Sequence, residues 1–123
     1  MLFRSCGYTP CPPHRDIHKT ALGATETVNW LHFTNTVEAV YAARAADYKI
    51  CCIEQVQHSV ALKDYAYNNV KTAFVFGNEV SGVSDEVLAM ADSCLEIPQW
   101  GSKHSLNISV SVGVVLWEMV RRL

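Results

Sequence analysis

The sequence predicts an α/β fold, a mainly parallel sheet with helices on both faces. Short apolar runs rich in β-branched and aromatic residues recur along the chain, and stretches with helical caps separate them. The runs end at Gly, Pro or small polar residues. Strands separated by helices return in parallel through right-handed crossovers. With 123 residues, 50% of them apolar, the chain can bury one core, so a single domain over residues 1–123 is expected.

Each element has a local reason. Leu2 to Gly7 reads as the first strand, and the Pro10, Pro12 and Pro13 cluster forbids regular structure until about Ile17. Asn35 with Glu38 three residues later is a cap pair opening a helix over Val37 to Ala46, before the apolar strand Lys49 to Glu54. Ser59 is placed to cap a short helix through Leu62, and Val70 to Phe76 forms the next strand. Ser84, followed by Asp85 and Glu86, caps a helix through Met90, and Leu95 to Ile97 closes the series. For the last segment two readings stand open. Ile108, Val110, Val112 and Val114 alternate with Ser109, Ser111 and Gly113 at strand period, yet Leu106, Val110, Val114 and Trp117 share one helical face.

Composition excludes several classes. No stretch approaches the roughly twenty apolar residues of a membrane span, and the first residues lack a signal-peptide hydrophobic region, so no membrane partner and a cytoplasmic location are expected. Five cysteines suit a reducing compartment without disulfides, and Cys51, Cys52 and Cys94 lie in apolar runs as small hydrophobes. Cys6, Cys11, His14 and His18 come close to zinc-ligand spacing, but the partner pair expected about a dozen residues away is absent, so no metal site is assigned. No G-x-G-x-x-G follows a strand, which argues against a Rossmann-type nucleotide domain. With a net charge of −2, capture of RNA would have to be local, through residues such as Arg15, Lys19, Lys103 and His104, or come from an RNA-binding extension outside this sequence.

Two segments carry the chemistry: Phe74-Val75-Phe76-Gly77-Asn78-Glu79-Val80-Ser81-Gly82, and Ile97-Pro98-Gln99-Trp100-Gly101-Ser102-Lys103-His104-Ser105-Leu106-Asn107-Ile108-Ser109-Val110. Each is a strand-like run that stops at Gly or Pro and hands over to small, hydrogen-bonding residues, where α/β proteins place ligands. Their order, identity and the nine-residue interval from Ile97 to Leu106 resemble the second and third signature motifs of the SpoU (TrmH-like) RNA ribose 2′-O-methyltransferases, of the SPOUT class. His18 to Ala24 and Ile53-Glu54-Gln55 also look like segments of that family.

The resemblance implies a sheet closed by a C-terminal trefoil knot, a helix over Ser105 to Arg122, S-adenosylmethionine as cofactor, and methyl transfer to a ribose 2′-hydroxyl of tRNA or rRNA by a homodimer. It assigns Gly77, Asn78, Ile97 and Leu106 to the cofactor, Ile97 and Leu106 through backbone groups at the adenine. It assigns Glu79, Ser105 and Asn107 to the reaction centre, Ser105 serving also as cap of the last helix. The family's first motif carries an Asn and the Arg proposed as catalytic base, and no residue here matches that Arg; Arg4 lies within the first strand. An N-terminally incomplete domain with weak turnover is therefore expected, the alternative being a non-catalytic RNA- or cofactor-binding protein of the same family.

Overall fold

A computed structural model describes residues 1–102 and 105–123. It divides into two compact units, Met1–Ala42 and Ala43–Leu123. The strands form two sheets, one of two strands and one of four, and every ladder between named strands is parallel.

In the first unit β1 (Leu2–Cys6) pairs with β2 (Asn29–Phe33), and between them run α1 (Arg15–Ala21) and α2 (Ala24–Thr27). Ser5 is the buried polar residue of this sheet, hydrogen-bonded to Nδ1 of His32 on the neighbouring strand at 2.7 Å, which satisfies both groups. Helix α1 opens at Arg15, two residues ahead of the expected limit, because His14 caps it by accepting from the Asp16 amide. Cys6 lies at the end of β1 and its thiol is held protonated mainly by burial. Helix α3 (Thr36–Ala45) begins as the cap pair foretold, with Asn35 Oδ1 accepting from the Glu38 amide at 3.0 Å.

The second unit holds β3 (Lys49–Ile53), β4 (Val60–Ala61), β5 (Thr72–Phe76), α4 (Asp85–Ala89), β6 (Ser93–Glu96) and α5 (Ile108–Val120). Its strand order is β4-β6-β3-β5, so the last strand in sequence sits between two laid down earlier. Ser59 does not cap a helix. Its hydroxyl donates to the Val56 carbonyl and to Glu96 (2.9 Å), while Val60–Ala61 is captured as a short strand by β6, leaving one 3₁₀ turn at Leu62–Asp64. Ser84 does cap α4, accepting from the Val87 amide.

Cys51, Leu62, Leu95, Val115 and Met119 make the core, with Ile53, Tyr65, Tyr67, Phe74, Phe76 and Ile97 packed against it. Val115 and Met119, one helical turn apart, are the buried stripe of α5. This resolves the ambiguous last segment as a helix: tertiary burial overrides the β-branched alternation. Burial, reinforced by the charges of Cys94, Cys51 and Glu54, pushes the Cys52 thiol up to about 12, so it stays protonated and packs as a hydrophobe. The C-terminal turn is fastened by Arg122, which pairs with Glu118 and donates to the carbonyls of Leu62, Lys63 and Tyr65.

Candidate functional site

The register of the four-stranded sheet aligns three carboxyl ends. Ile53 pairs with Phe76 on one side and Leu95 on the other, so Gly77 and Glu54 leave the sheet level with Glu96, the last residue of β6. Neighbouring strands lie about 4.8 Å apart, which puts the ends of β5 and β6 about 10 Å from each other across β3. In parallel sheets this edge is where ligands bind.

The loop after β5 closes on itself. Backbone bonds run both ways between Asn78 and Gly82 (3.1 and 2.8 Å), and Asn78 Oδ1 accepts from the amides of Val80 (2.8 Å) and Ser81 (3.2 Å). Asn78 is thereby the keystone of the turn, and Glu79 and Val80 stand exposed at its tip, Val80 at 96%. Gly77 is required by this closure rather than by its own dihedrals. A Cβ there would meet the carbonyl carbon of Gly82 at 2.3 Å and the amide nitrogen of Val83 at 2.4 Å. The close approach at Gly77 is to the backbone of its own loop.

The chain after β6 builds a second feature. Ile97 turns half-buried into the core, and the following residues open a cleft of about 550 Å³ lined by Pro98, Gln99, Trp100, Gly101, Ser102, Ser105 and Leu106. Trp100 is 93% exposed at this cleft. It is an open hollow rather than an enclosed pocket, its exposed surface mainly apolar with a few polar groups among it. Lys103 and His104, singled out from the sequence, lie outside the described residues.

Ser105 does not cap the last helix. The cap is Asn107, whose Oδ1 accepts from the Ser109 amide (2.9 Å) and hydroxyl (2.5 Å). An N-cap must immediately precede the first helical residue, Ile108, and Ser105 stands two positions too early.

The structure thus brings Ser105 and Leu106 together in the cleft, packs Ile97 against the core outside the cleft lining, and groups Gly77, Asn78 and Glu79 at the end of β5, across β3 from β6, without making them cleft walls. Sequence reading gave Glu54 no role. Its carboxylate accepts from the Val83 amide at 2.9 Å and from the Gln55 amide at 3.3 Å, joining the end of β3 to the loop after β5. The available signal was an acidic residue directly after an apolar parallel strand. Among the described residues no three His, Cys, Asp or Glu side chains gather as metal ligands, and no helix is long and apolar enough to cross a membrane.

The profile of the family described as SpoU rRNA Methylase matches residues 6–117. A tRNA (guanosine(18)-2'-O)-methyltransferase of Borreliella burgdorferi is 34% identical over 102 residues, 83% of this chain and 46% of the relative. The same-named protein of Aquifex aeolicus is 33% identical over 88 residues, covering 72% and 41%. The chain therefore spans less than half the length of these relatives. Among solved structures, the A. aeolicus TrmH/SpoU tRNA modifying enzyme superposes with a TM-score of 0.82 at 27% identity, over 98% of this chain and 60% of the other. An AdoMet-bound rRNA methyltransferase from Sinorhizobium meliloti shares the fold at a TM-score of 0.89 and 24% identity, over 99% and 46%. Matched over almost its whole length, with the two motifs at the carboxyl ends of β5 and β6, the chain belongs to the SpoU rRNA methylase family.

Proposed function

We propose that this chain binds S-adenosylmethionine and serves methyl transfer to a ribose 2′-hydroxyl of tRNA or rRNA. The observation that carries the reading is that the hollow lined by Pro98–Ser102, Ser105 and Leu106 and the closed Gly77–Gly82 loop follow β6 and β5 at the same carboxyl edge of a parallel sheet. When bound, the cofactor would supply an electrophilic methyl group for a ribose oxygen. The protein's part is alignment and proton handling. Leu106, Ile97, Gly77 and Asn78 form the cofactor side, with Leu106 and Trp100 packing on the heterocycle. Glu79, Ser105 and Asn107 face the reaction, orienting the ribose and a neighbouring cation. Arg15, Lys19, Lys103 and His104 are the local basic contacts for RNA phosphate. A trefoil knot in the C-terminal half and a cytoplasmic location complete the proposal.

Calorimetric titration with S-adenosylmethionine, beside tritiated-methyl transfer onto bulk tRNA and rRNA, tests it. Saturable binding is expected, and Asn107→Ala should abolish transfer while costing helix α5 about 1 kcal/mol. Absence of binding by the unmodified chain would overturn the reading. A second reading, a non-catalytic binder of the same cofactor or RNA, is favoured by the engagement of Asn107 Oδ1 as a helix cap. Binding without any transfer would select it.

Self-association belongs to the proposal. Val110, Val114 and Trp117 lie at i, i+4 and i+7 on the face of α5 opposite its buried stripe, with Trp117 70% exposed. Such an apolar stripe suits a second copy of the chain. Sedimentation at micromolar concentration should give a dimer that Trp117→Glu dissociates, and a monomeric wild type would refute it.

A further inference from the structure

We propose that Glu54 is the positioning residue of the cofactor wall. Its carboxylate is a strut that rises from the end of β3 and fixes the Gly77–Val83 loop against the sheet. The inference rests on the reading of that loop as part of the S-adenosylmethionine site.

Three features of the geometry carry it. The half-buried carboxylate accepts the Val83 amide through Oε2 at 2.9 Å, while Oε1 takes the Gln55 amide at 3.3 Å, so both oxygens are engaged and the side chain is held from both ends. Gly82 sits at φ +67°, and a Cβ on it would stand 2.4 Å from that same Oε2, so a glycine makes room for the carboxylate. Gly77 in turn packs directly on Gly82 and Val83. Among the described residues, every hydrogen bond closing the loop other than the Val83 contact lies within the loop itself, between Asn78 and Val80, Ser81 or Gly82. Those bonds set its shape. Among the described residues, the Glu54–Val83 hydrogen bond is the side-chain hydrogen bond that ties the loop to the end of β3, beside the buried Val83 side chain.

A strut of this kind requires an acceptor, not a charge. Glutamine presents a carbonyl oxygen at the same reach and can accept from Val83, whereas alanine leaves that amide without a partner. Gly82→Ala acts on the same contact from the other side by driving the carboxylate away.

The test uses the full 123-residue chain and two readouts. Hydrogen exchange without ligand follows the Val83 amide, and calorimetry follows S-adenosylmethionine. In E54A the Val83 amide should exchange at least about tenfold faster and cofactor affinity should fall about tenfold or more, the factor carried by one buried amide left without its acceptor. E54Q should keep both within about threefold. G82A should do at least as much damage as E54A, because a side chain at φ +67° also strains the backbone, and its effect should be smaller in the E54A background than alone, because both changes break one contact. Unchanged Val83 exchange in E54A, or unchanged affinity despite faster exchange, overturns the inference. Equal damage by E54Q and E54A overturns it as well. If the wild type does not bind the cofactor, the functional reading fails by itself, and the strut then stands or falls on the Val83 amide alone.

Discussion

Gly77→Ala should lower stability by about 3 kcal/mol, the upper end of what overpacking costs, and abolish cofactor binding by the loop it closes. The added methyl group would lie 2.3–2.7 Å from three main-chain atoms of Gly82 and Val83. No rotamer change relieves a clash with main chain. The loop must move away from β5, breaking the paired hydrogen bonds between Asn78 and Gly82 and lifting Val83 off Glu54. Gly113 supplies the internal control. It lies exposed within α5 with nothing within 4 Å of its would-be Cβ, so Gly113→Ala should raise stability by about 0.5–1 kcal/mol. Urea titration of both variants beside calorimetry decides the matter. A Gly77→Ala protein that melts with the wild type and still binds would mean the loop is not closed as described.

Leu95→Ala should be the most damaging core substitution, costing about 2–5 kcal/mol. Leu95 is fully buried and lies in β6 between Ile53 of β3 and Val60 of β4, so its side chain joins the two halves of the sheet under Val115 and Met119. Domains of this size are stable by only about 5–15 kcal/mol, so a loss at the top of the range leaves little folded protein at 37 °C. The expected signature is a lower urea midpoint with an unchanged slope. An alteration below about 1 kcal/mol would show that the site collapses around the smaller side chain or that β6 is not central.

What the sequence made legible follows physical rules. Lys49–Ile53 and Thr72–Phe76 were readable because buried parallel strands are continuous apolar runs between breakers. β2, Asn-Trp-Leu-His-Phe, escaped because its polar residues face solvent on an exposed two-stranded sheet, with neither alternation nor a continuous run to mark it. β4 has two residues and exists only because β6 pairs with it, so no local signal could announce it. At the site, Gly77, Leu106 and Asn107 were visible as motif residues. Their structural duties were not, since one opposes main chain five residues on and another caps a helix. Glu54 was invisible in its role because its partner Val83 lies 29 residues away in the chain.

The position of β6 also constrains the order in which this protein can assemble. β4 hydrogen-bonds to β6 and to no other strand among those described, and β6 lies between β4 and β3, whose other edge holds β5. Until Ser93–Glu96 arrives, Val60–Ala61 has no ladder to join, and Leu62 has no Leu95 to pack on. The sheet therefore cannot grow strand by strand as the chain emerges during synthesis. Its outer half must wait for the last third of the sequence, and closing such long loops before any contact compensates for them makes folding slow. A nascent chain stalled before Ser93 would hold β3 and β5 as an open-sided pair, a state more dependent on chaperones than the finished protein.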